Sequence, residues 1–126
     1  MTAEQLRKVS GGVIGHFTPK EMEIDAAKLA VSANNIGLKV PAGKFVFGAY
    51  IKNEADDLAS GGAATIKVTV GATDVISATG ISDLKGKGVA TLDTTPDFSA
   101  AEREVKLTVA TAAYTAGKLI VGVIYG

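Results

Sequence analysis

Apolar and polar residues alternate with a period of two along much of this chain, most cleanly over Ala64 to Val70 and Arg103 to Thr111. In the first run Ile66, Val68 and Val70 fall on one side of an extended strand, with Thr65, Lys67 and Thr69 on the other. In the second, Val105, Leu107 and Val109 oppose Glu104, Lys106 and Thr108. Successive side chains of a strand point to opposite faces, so each run predicts a strand with one buried and one solvated face. Two stretches depart from the alternation in the same way. Lys44 to Ile51 (KFVFGAYI) and Thr115 to Gly126 (TAGKLIVGVIYG) are apolar on both faces. That pattern predicts strands set mid-sheet or covered on both sides, and the two are expected to be neighbours, the last paired along both edges. Leu119, Val121, Val123 and Tyr125 share one face of the final strand, and Ile120, Gly122 and Ile124 the other. In the earlier strand Phe45, Phe47, Ala49 and Ile51 oppose Val46, Gly48 and Tyr50. Gly48 and Gly122 are in-strand glycines of the kind that mark a bulge or a close backbone approach.

Shorter signals fill in the rest. Val13 to Thr18 predicts a first strand after the Gly11-Gly12 break, and Met1 to Ser10 carries only a weak helical signal. Thr18, Pro19 and Glu21 permit a helix over Met22 to Ala33, but a short strand over Met22 to Asp25, with Asp25 capping one helical turn through Leu29, fits better. Strands follow at Ile36 to Val40, Thr73 to Thr79 and Val89 to Leu92, while Ile81 to Leu84 is too short to assign. Pro41-Ala42-Gly43, Gly86-Lys87-Gly88 and Ala112 to Gly117 read as turns. Asn53 to Gly62 reads as an acidic loop, and Thr94 to Ala101 as a loop containing Pro96. About eight or nine short strands between turns predict an all-β chain, a two-layer antiparallel β-sandwich of jelly-roll type. Residues 1–12 would form a short N-terminal arm and 13–126 the sandwich.

In a sandwich only one face of each sheet needs burial, so the strands that are apolar on both faces carry a surplus. Val46, Tyr50, Ile120 and Ile124, or the opposite set, would lie outside, where a large apolar patch marks a subunit interface. The alternative is that the N-terminal segment or a long loop folds over that face. Leu6, Val9 and Val13 are the apolar residues that would hold the arm against a partner.

Composition narrows the function more than it defines it. The 126 residues suit one domain, and the absence of cysteine removes disulfides, thiolate metal sites and cysteine nucleophiles. Thirteen basic residues balance thirteen acidic ones, without blocks of either sign. Nucleic acid and anionic membrane are therefore disfavoured as partners, while a net charge near zero leaves self-association unopposed. No apolar run reaches the roughly 20 residues of a membrane span, and MTAEQLRKVS lacks the apolar core of a signal peptide.

No catalytic constellation is legible. The one histidine, His16, lies in an apolar strand with no nucleophile or acid at a recognisable spacing, so a packed or interface histidine is the expectation. Asn53, Glu54, Asp56 and Asp57 could offer oxygen ligands to calcium, but their spacing is not that of an EF-hand. Asp93 and Asp97 are a carboxylate pair on distance alone. Among the aromatics only Phe98 and Tyr114 are expected on loops, where a sugar could stack. No enzyme, cofactor or metal is expected.

The strand ending in VPAG before the apolar strand (Val40 to Ile51), the acidic loop, the strand ending in VTVG (Val68 to Gly71) and the closing TAGKLIVGVIY (Thr115 to Tyr125) together resemble small structural proteins of tailed-phage virions, of the head decoration and head-fibre type. The likeness spans Ile24 to Gly126. It implies a jelly-roll-like domain, often a homotrimer, attached to the phage major capsid protein or a tail by an N-terminal segment, without catalytic residues. It also implies a place on the capsid surface of the virion after synthesis in the host cytoplasm. A tail-associated receptor- or carbohydrate-binding module, working through Asn53 to Gly62 and Asp93 to Ala101, would use the same fold.

Overall fold

The computed structural model describes residues 18–126, with side chains at 20–92 and 98–126. Ten strands are described: β1 (Thr18–Asp25), β2 (Ala33–Val40), β3 (Lys44–Lys52), β4 (Ala59–Ser60), β5 (Thr65–Val70), β6 (Thr73–Gly80), β7 (Gly88–Ser99), β8 (Arg103–Ala110), β9 (Tyr114–Ala116) and β10 (Lys118–Tyr125). One short helix, α1 (Ile81–Leu84), joins β6 to β7. The strands form two four-stranded sheets, β1-β10-β3-β7 and β2-β8-β5-β6, with β4 and β9 as a small separate pair. All their ladders are antiparallel. The all-β sandwich is thus as expected, and the chain crosses from sheet to sheet at almost every connection.

Facing residues make the core. Ile66, Val68 and Val70 from β5 and Val105, Leu107 and Val109 from β8 are buried, as their alternation predicts. They meet Ala49 and Ile51 from β3 and Leu119, Val121 and Val123 from β10. Each fully buried aliphatic side chain contributes roughly 1.5–3 kcal/mol relative to exposure. β10 lies between β1 and β3, so both its edges are paired and β3 is its neighbour.

Asp25 ends β1 by accepting a hydrogen bond from the Ala27 amide at 3.1 Å, which caps a single 3-10 turn over Ala26–Lys28. The strand-then-turn reading of Met22 to Leu29 therefore holds, and a longer helix is absent there. Asn34, ahead of the strand expected from Ile36, is inside β2. Its amide donates to the carbonyls of Ala30, Ser32 and Leu107, so it fastens the preceding loop to β8.

Three assignments change. The β7 strand continues through Pro96 to Ser99, where a loop was expected. Proline is tolerated because β7 is at the sheet edge and the register with β3 shifts between Val46 and Gly48. Ile81 to Leu84 is helical. Tyr114 belongs to β9 and is buried, so it is no loop aromatic.

Asn53 links three segments at the end of β3. Its side-chain carbonyl accepts from the amides of Asp57 (3.2 Å), Leu58 (3.3 Å) and Gly86 (3.3 Å), and its amide donates to Asp57 Oδ1 and the Lys118 carbonyl, both at 2.7 Å. The acidic loop is thus folded by one fully buried asparagine. Truncating it strands several of these groups, each costing about 1–3 kcal/mol when buried. Asn53→Ala should lower stability by at least about 2 kcal/mol in urea unfolding. Glu54→Ala, which removes an exposed carboxylate from the same loop, should change it by less than about 1 kcal/mol.

Candidate interaction surface

The outer face of the sheet β1-β10-β3-β7 is where the two apolar-on-both-sides strands show their second face. Ladder register arranges its residues in rows: Glu21, Gly122, Tyr50 and Ala90 in one, and Glu23, Ile120, Lys52 and Gly88 in the next. A third row holds Ile124, Gly48 and Leu92.

Of the residues expected there, Tyr50, Ile120 and Ile124 are on this face and half-buried. Val46 is not. It is buried in the core, because the register of β3 shifts between Val46 and Gly48 in both of its ladders and this bulge reverses the facing of everything before it. Strict alternation puts Val46 with Tyr50, whereas the bulge puts it with Ala49 and Ile51. Leu6, Val9, Val13 and His16 lie outside the described residues, as does most of the expected first strand. Asp93 and Asp97 are in β7, outside the described side chains.

Tyr50 reaches across β10. A side chain at Gly122 would overlap the Tyr50 ring, so the glycine leaves the space through which the ring passes to the far strand. There the Tyr50 hydroxyl donates a hydrogen bond to Glu21 Oε2 on β1. One side chain thus spans three strands. Burial first, then this hydrogen bond and the adjacent carboxylate charge, pushes the Tyr50 hydroxyl up from 10.0 to about 12. Burial alone pushes Tyr114 up to about 12. Exposed pairs flank the row, Lys118 with Glu23 at 3.3 Å and Lys52 with Glu54; such pairs contribute little.

At the end of the sheet near the bulge, Phe45 and Phe98 face each other across β3 and β7 with ring centroids 5.0 Å apart, and Phe47 is 6.2 Å from Phe45. Phe45 is 43% exposed, Phe98 52% and Leu92 74%. Sequence reasoning singled out Phe98 but missed Phe45 and Leu92. The signal available was the uncharged run Gly88 to Leu92, which reads equally well as a half-buried strand.

Asn53 turns inward from the acidic loop, while Glu54, Asp56 and Asp57 stay exposed. The asparagine oxygen is taken up by three amides, and the Asn53 amide holds the Asp57 carboxyl below the usual carboxylate range. Among the described residues no cluster of three acidic, histidine or cysteine side chains is placed to hold a metal.

Neither a protein-family model nor a curated protein matches this chain. Two solved structures share its fold. A chain of the acidic stable capsid structure of Helicobacter pylori bacteriophage KHP30 matches with a TM-score of 0.58 at 13% identity, covering 86% of this chain and 85% of that one. A chain of the capsid of Ralstonia phage GP4 matches with a TM-score of 0.54 at 20% identity, covering 88% and 83%. At these identities the likeness is one of fold. The nearly equal coverages mean that both matched chains are close to this one in length.

Gly122→Val should displace the Tyr50 ring and destabilise the protein by about 1–3 kcal/mol. In a double-mutant cycle, Tyr50→Ala should remove most of that penalty, since the space is then free. Equal penalties in both backgrounds would show that the ring does not depend on the glycine. Alkaline pH supplies a second check. Below pH 10 the Tyr50 hydroxyl is protonated in folded and unfolded chains alike, and its stabilising contribution is fully present; it is lost as pH rises from 10.0 towards about 12, because the unfolded chain ionises first. Unfolding followed across that window should show a fall in stability that is shallower in Tyr50→Phe.

Proposed function

We propose that this chain is a non-enzymatic structural protein of a bacteriophage virion, a capsid decoration or head-fibre protein that binds and stabilises the capsid surface as an oligomer. The observation that carries the reading is the shared fold with two capsid chains of similar length, matched over more than four-fifths of each. The fold contributes as well. Two sheets ordered β1-β10-β3-β7 and β2-β8-β5-β6, with the first described strand beside the last, support a jelly-roll description of the sandwich. The residue-level resemblance to head decoration and head-fibre proteins points the same way.

The physical work of such a protein is burial repeated many times. A sandwich presenting apolar residues such as Phe45 and Phe98 can make modest contacts with a shell, and several linked copies convert them into slow dissociation. A protein that binds the assembled shell and not its free subunits stabilises the shell by mass action.

The test is co-sedimentation of the purified chain with empty capsids of the phage that encodes it, paired with thermal disassembly of those capsids. Saturable binding and a raised disassembly temperature are expected, without binding to host cells. Binding to cells or their glycans, with none to capsids, would overturn this reading and leave the receptor-binding module in its place.

A further inference from the structure

We propose that β7 is a self-pairing edge: the segment Gly88 to Leu92 adds antiparallel to the same segment of a second copy, centred on Ala90, and joins two sheets into one. The inference goes beyond the virion reading and stands whatever surface the protein binds. It starts from a comparison of the four sheet edges, since an unpaired strand edge is a template for another strand unless charge, proline or a bulge blocks it.

Three edges carry such blocks. Edge strand β1 exposes Lys20, Glu21, Glu23 and Asp25. In β2 the left-handed Gly37 accompanies a register shift between Asn35 and Lys39. β6 carries Asp74 and two register shifts against β5. From Gly88 to Leu92, by contrast, β7 has no charge, no proline and an unbroken register with β3. It also bears Leu92, the most exposed large apolar side chain among the described residues.

Backbone direction then fixes which groups are free to pair. The Lys87 carbonyl accepts from the backbone amide of Asn53, the residue that follows β3, at 2.9 Å, so it points into the sheet. Antiparallel ladders alternate, so the backbone groups of Val89 and Thr91 also point to β3, and those of Gly88, Ala90 and Leu92 point outward. A two-fold axis at Ala90 pairs these outward groups with their own copies and sets Leu92 opposite Gly88 of the second copy. Both residues are on the outer face. Gly88 has no side chain, and beside it is a shallow cleft of about 190 Å³ lined by Tyr50, Ile51, Lys52, Gly88, Val89 and Ala90. Leu92 of the second copy fills that cleft. The same register sets Lys87 opposite Asp93 at each end of the contact, so the charges that flank the apolar run are complementary. Every rung is thus compatible with its own copy, which selects a second copy as the occupant. The symmetry is two-fold, in place of the trimer implied by the family resemblance.

The experiment is the solution mass of the full chain by light scattering and sedimentation, with three variants. Wild type should be a dimer in the micromolar range. Leu92→Lys should weaken association by more than about tenfold, since it places an ammonium over Gly88 of the second copy. Ala90→Pro should do the same, because it removes only an outward-facing N–H and leaves the β3 ladder intact. Circular dichroism checks that both variants keep their β structure. The third variant, Ala90→Cys, introduces the chain's only thiol, and paired residues about 5.5 Å apart at Cα are within disulfide reach. Oxidation should yield a covalent dimer from Ala90→Cys and none from Ser77→Cys on the β6 edge. This readout leaves the fold undisturbed, so it decides the matter even if the other variants unfold. A monomeric wild type with no Ala90→Cys cross-link would overturn the proposal. So would an oligomer that Leu92→Lys and Ala90→Pro leave intact.

Discussion

The structure depends on the pairing of its last strand with its first described one. β10 is hydrogen-bonded to β1 from Thr18–Tyr125 to Asp25–Lys118 on one side and to β3 on the other. It also places Leu119, Val121 and Val123 in the core with no exposure. Without β10, β1 and β3 would face each other across an empty lane, and every outward backbone group along it would lose its partner. Because these contacts join residues far apart in sequence, they form against a large loop-closure entropy. The apolar character of both faces of β10 is the sequence's answer to that cost: more of the strand is buried than one core face alone requires.

Much of this was readable in advance. Clean alternation in β5 and β8 identified the inner residues of the second sheet, and the two-sided apolarity of β3 and β10 identified neighbours in the middle of the first. What escaped was local and had a physical reason. A bulge adds one residue and reverses facing, and after Lys44 the stretch FVFGAYI contains no charge whose exposure would show where the reversal falls; Val46 was therefore placed outside and is inside. Pro96 reads as a loop signal, but at an edge strand proline sacrifices no ladder hydrogen bond when its nitrogen faces away from the neighbouring strand. Tyr114 was assigned to a turn because three-residue strands such as β9 leave no periodic trace. Asn53 looked like one polar residue among several, and only the fold shows that its amide binds the ends of three segments together.

The candidate surface was legible in part for the same reason. Tyr50, Ile120 and Ile124 follow from simple alternation after the bulge, and they are on the outer face as expected. What alternation cannot show is the passage of the Tyr50 ring over Gly122 to Glu21. That side chain covers the middle of the sheet with its own ring and holds β1 against β10 and β3. The apolar surplus is thereby displaced toward β7, to Leu92, Phe45 and Phe98.

This displacement connects stability with assembly. The β1 edge of the sheet is guarded by charge, with Lys20, Glu21, Glu23 and Asp25 exposed along it. Over Gly88 to Leu92 the β7 side carries no such charge. A protein made to remain single would be expected to place a lysine or a proline within Gly88 to Leu92, as edge strands commonly do. Here the nearest charges, Lys87 and Asp93, stand just outside the run and have opposite sign, which favours antiparallel pairing of the run with itself and opposes a parallel one. Among the described residues one edge of the sheet is thus blocked by charge, while the stretch Gly88 to Leu92 of the other is not and carries the most exposed large apolar side chain.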